Sequence, residues 1–211
     1  MIPFKGRKSL GPPRLLSRTD LIRVILRLQF EGWKSALQTD PTLKPDQNEP
    51  YMNGRLFQGM VQVRTAMGLT NIFIMEKPGV RPTPGPALPE AEPDVIVLIT
   101  EFGANEPHAI IECKRVDPLE NPKRLRGKYV RAGMDRFIKG LYGPDHDIDF
   151  MVAYVLDGDE PAALKDINIY LRNVKRPSDS LLVMTSLNSI GFVAHSGHVR
   201  TVDNRPFRLL H

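Results

Sequence analysis

Two short, strongly apolar segments, Asp94–Thr100 and His108–Val116, lie close together in the sequence with a turn around Gly103 between them. Their length and their β-branched residues predict two neighbouring strands of a buried β-hairpin. Asp94 and Glu112 are equally far from Gly103 along the chain. An antiparallel hairpin centred on that glycine therefore sets the two carboxylates opposite each other.

The same hairpin would gather charged groups beside apolar ones. Strand alternation puts Glu112 and Lys114 on one face of the sheet and Cys113 on the other face, in the core, where a thiol is inert. Two carboxylates and one ammonium are costly to bury unless they pair or hold a cation, and Lys114 can neutralise only one carboxylate. A hard divalent cation such as Mg²⁺ takes oxygen ligands and would relieve the repulsion. The alternative is a surface hairpin on which Glu112 and Lys114 form a solvated salt bridge.

The rest of the chain alternates helical and strand patterns, which predicts a single α/β domain at 19–211. The spacing of apolar residues predicts, in chain order, helices at about 19–38 and 49–68, a strand at 71–75, a proline-rich loop at 78–93, the hairpin, a helix at about 126–142, a strand at 150–156, a helix at 160–173, and strands at 181–185 and 192–199. The loop can neither pair into a sheet nor continue a helix, because of its prolines.

The net charge of +5 is located in one segment. Residues 1–18 carry five basic side chains and no acid, so the remaining chain is balanced. We predict a flexible basic arm at 1–18, which could lie on a phosphate backbone or dock a partner protein. The single cysteine indicates a reducing compartment, and no apolar run is long enough to cross a membrane, so a cytoplasmic location without membrane contact is expected.

The motif formed by Pro93-Asp94, an apolar strand, a turn and Glu112-Cys113-Lys114 resembles the signature of the PD-(D/E)XK nucleases. Helices before the motif, and a helix and a strand after it, also match the surroundings of that motif in the family. The resemblance covers about residues 45–160. It implies a restriction-endonuclease-like fold, that is, a mixed central β-sheet flanked by α-helices.

The resemblance also implies the roles of individual residues. Asp94 and Glu112 would bind Mg²⁺, for which Mn²⁺ can substitute, with help from the backbone carbonyl of Cys113. Lys114 would orient or activate the attacking water. Glu49 would join the site from an upstream helix, although an acidic residue in a first helical turn is equally explained by the helix dipole. The sequence departs from the family's pattern in two ways: the proline-rich loop before Pro93 is long, and the helix after Lys114 has no QxxxY motif.

Basic residues follow the motif closely and suggest a nucleic-acid surface. The helix at 129–142 resembles the substrate-facing helix of the family, and the residues expected to contact a phosphate backbone are Arg124, Lys128, Arg131 and Lys139. A merely solvated helix face is the alternative. The function expected is metal-dependent hydrolysis of DNA, with RNA not excluded as substrate, in a bacterial defence, mobile-element or repair system.

Other polar clusters are weaker candidates. Asp145-His146-Asp147 could ligate a metal but is more typical of a polar turn, and His195 and His198 lack zinc spacing. Arg200, two residues after His198, could contact substrate. A partner protein or a homodimer could choose the target. The competing function is a catalytically silent DNA-binding or scaffold subunit of a larger nucleic-acid-processing complex.

Overall fold

The structure is a computed structural model that describes residues 17–44, 47–76, 92–100, 108–116, 122–174, 180–187 and 190–211. The basic arm up to residue 16, most of the proline-rich loop and the hairpin turn around Gly103 lie outside the described residues. Predictions about those segments therefore stay predictions.

The described residues form an α/β fold around a mixed seven-stranded sheet. In chain order the elements are α1 Arg18–Thr39, α2 Glu49–Ala66, β1 Ile72–Glu76, β2 Val95–Ile99, β3 Ala109–Val116, α3 Pro122–Gly127, a π-helical segment Lys128–Met134, α4 Asp135–Ile138, β4 Ile148–Val155, α5 Glu160–Asn173, β5 Val183–Leu187, β6 Gly191–Val199 and β7 Pro206–Leu210. The strand order across the sheet is β1-β2-β3-β4-β7-β6-β5. Strand β4 pairs in parallel with β3 and with β7, and the other pairings are antiparallel.

The first two helices begin where the sequence provides a cap. The side chain of Ser17 accepts a hydrogen bond from the backbone N–H of Asp20 at the start of α1. The side chain of Asn48 does the same for Tyr51 at the start of α2, and Pro50 lies in the first turn, where its missing N–H costs nothing. The bounds predicted for these helices are confirmed to within two residues.

Helices cover both faces of the sheet. Helices α1 and α2 pack on one face, where the buried core includes Ile25, Leu28, Met52, Leu56, Met60, Val95, Val97, Ile111 and Cys113. The helical residues 122–138 and helix α5 pack on the other face, with a core that includes Val130, Met134, Phe137, Ile167, Leu171, Ile96, Ile110, Met151 and Leu209. Within the described ranges, no helix combines the length and apolar character needed to cross a bilayer.

The helix predicted at 126–142 differs from the observed one. Helical structure begins at Pro122, becomes π-helical at Lys128–Met134 and ends at Ile138. The end is earlier than predicted because Gly140 adopts a φ of 68°, a left-handed conformation that terminates helices and favours glycine. Tyr142 therefore lies in the following loop, where it is free to face the sheet.

Strand β7 was absent from the predicted elements, and it lies in the interior of the sheet. Arg208 pairs with Ile148 of β4, and Phe207 pairs with His198 of β6. The segment begins at a proline, a residue that usually marks the end or edge of a strand, and this signal hides it in the sequence. The alternation of buried Phe207 and Leu209 with exposed Arg208 is the pattern that could have revealed it.

Candidate functional site

The register of the hairpin is the one that the sequence predicted. Val95 pairs with Ile111 and Val97 with Ala109, so the two strands are centred on Gly103. Asp94 immediately precedes β2, and its Oδ2 accepts a hydrogen bond of 2.8 Å from the backbone N–H of Cys113. This bond fixes the Asp94 carboxylate against strand β3.

Three carboxylates converge on the ammonium of Lys114, and we call these four residues the charged cluster. The Nζ atom of Lys114 lies 2.7 Å from Glu112 Oε1, 2.9 Å from Glu49 Oε1 and 3.8 Å from Asp94 Oδ2. It also donates to the carbonyl oxygen of Cys113 at 2.7 Å. The side chain of Lys114 is 8 % exposed and that of Glu112 is fully buried. The alternative of a solvated salt bridge on the surface is therefore wrong.

Glu49 reaches the cluster from the first turn of α2. Its Oε1 pairs with Lys114, and its Oε2 accepts from the backbone N–H of Arg115 at 3.3 Å. The helix dipole alone does not explain these contacts, because both bonds are made to strand β3. The upstream glutamate thus lies beside the carboxylates of the hairpin, as the resemblance implied.

Arg136 belongs to this site and was not among the predicted site residues. Its Nη1 donates to Glu112 Oε1 at 2.8 Å and to the hydroxyl of Tyr142 at 2.6 Å. The hydroxyl of Tyr142 in turn donates to the backbone carbonyl of Glu92 at 2.7 Å. Tyr142 thus fixes the position of the guanidinium beside Glu112.

Burial raises the pKa of two carboxylates of the cluster, those of Asp94 and Glu112. Desolvation and the neighbouring charge of Asp94 raise the pKa of Glu112 to about 7, against the opposing effect of Lys114. Desolvation also raises the pKa of Asp94, although Lys114 and the N–H of Cys113 oppose the shift. Burial acts to lower the pKa of Lys114, but attraction to Glu112, Asp94 and Glu49 outweighs it and raises that pKa, so the ammonium is retained.

The residues of the cluster fit a hard cation in part. Among the residues that the structure describes, no three or more His, Cys, Asp or Glu side chains form a ready metal-binding group. However, Glu112 Oε2 is buried and has no hydrogen-bond partner in the described part of the chain. Three carboxylates face the two cationic side chains of Lys114 and Arg136, so the ionised cluster has a net negative charge. Asp94 and Glu112 thus have the oxygen donors that Mg²⁺ prefers, and the site as a whole, with Glu49, has the uncompensated negative charge.

The predicted phosphate-contacting residues lie along the helical segment that covers the cluster. Lys128, Arg131 and Lys139 are exposed, and the guanidinium of Arg131 stands 5.8 Å from the centre of the Tyr170 ring. The side chain of Arg124 lies outside the described residues. The exposed residues are accessible to a nucleic acid, and their role stays a prediction.

The residues of the 145–147 turn do not point to a common centre. Asp145 pairs with Arg205 at 3.1 Å and Asp147 with Arg18 at 2.7 Å, while His146 bonds to Asp149 at 2.7 Å. The turn is thus held by two ion pairs and a hydrogen bond to separate partners, which fits the polar turn that the sequence favoured over a metal site.

The histidines and the arginine near residue 200 also have structural partners. His195 bonds to Thr185 at 3.2 Å, and buried His198 bonds to Ser196 at 2.7 Å. The side chain of Arg200 is fully buried and donates to the backbone carbonyls of Phe137, Tyr142 and His146. A direct contact of Arg200 with substrate, raised by the sequence, is therefore wrong, because the guanidinium is enclosed and occupied.

Comparison of the chain with known protein families, with curated proteins and with solved structures finds no match.

Proposed function

We propose that this protein is a metal-dependent nuclease of the PD-(D/E)XK type that hydrolyses DNA phosphodiester bonds. The observation that carries the proposal is the convergence of Asp94, Glu112 and Lys114 at one end of a buried hairpin. Those three residues are the ones that the motif requires.

The architecture supports a restriction-endonuclease-like fold. The sheet is mixed, and helices pack on both of its faces. Strands β1, β2 and β3 are antiparallel neighbours, and the chain then passes through the helical residues 122–138 into β4, which is parallel to β3. The candidate site lies at the centre of this arrangement, on β3.

The residues of the site would have separate roles in hydrolysis. Asp94 and Glu112, with the carbonyl of Cys113, would hold Mg²⁺, which stabilises negative charge on a phosphoryl group and lowers the pKa of a bound water. Lys114 keeps its proton beside three carboxylates, so we infer that it acts as a fixed electrostatic donor to the attacking water or the phosphoryl oxygen rather than as a base. Glu49 accepts a hydrogen bond from the Lys114 ammonium at 2.9 Å and so helps to fix its position.

A plasmid-cleavage assay tests the proposal. We expect nicking of supercoiled DNA with Mg²⁺ or Mn²⁺, abolished by EDTA. Asp94→Asn and Lys114→Met should each reduce the rate by roughly a hundredfold or more. Matched controls are Asp145→Asn in the exposed turn and Lys165→Met on the exposed face of α5, and both should cleave as the wild type does.

Cleavage that persists in both site variants would contradict the proposal. The same assay on RNA decides between the two nucleic acids. The absence of cleavage with any metal would favour the second candidate, a catalytically silent DNA-binding or scaffold subunit. One observation favours that candidate: Glu112 Oε1 has two cationic partners within the protein itself, Lys114 and Arg136.

The biological setting of the nuclease is a further part of the proposal. We place it in the cytoplasm, in a bacterial defence, mobile-element or repair system. In this proposal a partner protein or a second copy of the chain selects the target DNA.

A further inference from the structure

The two oxygens of the Glu112 carboxylate have unequal surroundings. Oε1 accepts from Lys114 Nζ at 2.7 Å and from Arg136 Nη1 at 2.8 Å. Oε2 is equally buried and has no hydrogen-bond partner within the described residues. One cationic donor is enough to satisfy Oε1. Either Lys114 or Arg136 can therefore leave, and Oε1 still has a hydrogen-bond partner.

Arg136 is the cation that can leave. Its side chain is 36 % exposed, whereas that of Lys114 is 8 % exposed and also bonds to Glu49 and to the carbonyl of Cys113. In the described part of the chain, the hydrogen bonds of Arg136 all run through Nη1. The rest of the guanidinium fork is therefore available, and such a fork matches the paired oxygens of a phosphodiester.

Charge balance links the departure of Arg136 to the arrival of ligands. When all its groups are ionised, the charged cluster together with Arg136 has three carboxylates and two cations. A divalent cation alone would reverse the sign of the net charge, and a phosphodiester beside it would restore neutrality. The cation and the phosphate should therefore bind more favourably together than apart.

We propose that Arg136 is the substrate-phosphate residue of this site, and that in the free protein it occupies Glu112 in competition with the metal ion. On binding DNA, the guanidinium turns from Glu112 Oε1 to a phosphodiester and leaves the carboxylate to Lys114 and the cation. Tyr142 is the pivot, because its hydroxyl stays bonded to the carbonyl of Glu92 and keeps the guanidinium near Glu112. This inference rests on the proposed nuclease function.

Two binding measurements on the full chain test the inference without any cleavage. The first is the affinity for Mn²⁺ alone, measured by electron paramagnetic resonance on wild type, Arg136→Gln, Arg136→Lys and the control Arg172→Gln on α5. We expect Arg136→Gln to bind Mn²⁺ roughly tenfold more tightly, because the competing charged donor is gone. Arg136→Lys keeps a competing charge and should remain near the wild type.

The second measurement is the affinity for a short DNA duplex as a function of monovalent salt, with Ca²⁺ present as a hard cation that takes the same oxygen ligands and with the duplex shown by gel to stay intact. Arg136→Gln should bind more weakly, and the slope of log affinity against log salt should fall by roughly one, the effect of one lost phosphate contact. Arg172→Gln should keep the wild-type slope. A merely structural role of Arg136 would not change this slope, and thermal melting of each variant reports whether the fold is kept.

The outcomes separate the two proposals. If the wild type binds no Mn²⁺, the proposed nuclease function is wrong. If the wild type and Arg136→Gln bind Mn²⁺ equally, or if the salt slope of Arg136→Gln matches that of Arg172→Gln, only the inference about Arg136 is overturned.

Discussion

Gly59 of α2 lies directly against the backbone of Gly32 in α1. A Cβ atom at position 59 would overlap the carbonyl oxygen of Gly32, and a Cβ at position 32 would stand 2.7 Å from the backbone nitrogen of Met60. The two helix backbones can approach only because both residues are glycines. Since α2 begins at Glu49, this contact also sets the distance of that carboxylate from the sheet.

We predict that Gly59→Ala destabilises the protein by about 3 kcal/mol or more, because the helices must separate to admit the methyl group. The control is Gly54→Ala in the same helix, where the new Cβ would meet only Glu76 Oε1 at 3.4 Å. That change should be neutral or stabilise by up to about 1 kcal/mol, since alanine favours the helix. Urea denaturation compares the two, and equal stability of the variants would contradict the tight contact.

Arg200 anchors the loop that follows α4. Its guanidinium lies 3.7 Å from Asp149 Oδ2, and both side chains are fully buried. Arg200→Met should cost about 3–5 kcal/mol, because it removes the buried guanidinium beside Asp149 Oδ2 together with its hydrogen bonds to three backbone carbonyls. Arg205→Met, which removes exposed ion pairs to Asp145 and Asp203, should cost less than about 1 kcal/mol. Chemical denaturation of the two variants checks the difference.

The raised pKa of Glu112 predicts a pH-dependent stability in the absence of metal. The folded state holds this proton up to about pH 7, whereas the unfolded state releases it near the ordinary value of 4.5. Between those values the folded state binds more protons, so stability falls as the pH rises. The wild type in EDTA should lose up to about 3 kcal/mol more than Glu112→Gln over this range.

Denaturation midpoints at several pH values measure that loss. The control is Glu160→Gln in the exposed first turn of α5, which should keep the wild-type dependence. A parallel pH dependence of wild type and Glu112→Gln would mean that this carboxyl does not titrate in the expected range.

Lys114 should contribute most to stability at pH values at which the neighbouring carboxylates are ionised. Lys114→Met removes the cation of the cluster and leaves Arg136, beside Glu112, as the cationic partner of its carboxylates among the described residues. We expect a loss of about 3 kcal/mol near pH 8 and a smaller loss near pH 5, where Glu112 is protonated in the fold. Denaturation midpoints at several pH values, measured for Lys114→Met beside the control Lys165→Met, give this loss of stability. A loss that does not change with pH would mean that Lys114 contributes through packing rather than through its charge.

The hairpin and its register followed from the sequence because both strands are short, apolar and joined by a turn with an identifiable centre. Alternation then placed Glu112 and Lys114 together and Cys113 in the opposite core without any long-range information. The helices that begin at Arg18 and Glu49 also followed from the sequence, because their apolar residues recur at helical spacing; the residue that caps α1 is Ser17 rather than the Thr19-Asp20 pair that the sequence suggested.

The contact of Arg136 with Glu112 could not be obtained in the same way. The direction of the Arg136 side chain depends on the geometry of the helix before it. The π-helical turn at Lys128–Met134 changes the angle between Arg136 and the apolar face of Val130 and Phe137, and the sequence does not reveal that turn. The position of Arg136 in a basic run beside the motif was the available signal. Likewise, the place of β7 between β4 and β6 depends on pairings with distant strands, which local pattern does not encode.

In the described sheet, strand β7 lies between the β1-β2-β3-β4 part and the β6-β5 part and pairs with both. A chain in which residues 206–210 fail to insert would leave β4 and β6 each with an unpaired edge inside an apolar layer. Such edges readily recruit strands from other molecules. Substitutions at Phe207 or Leu209 should therefore cause self-association first, before any change at the charged cluster on β3.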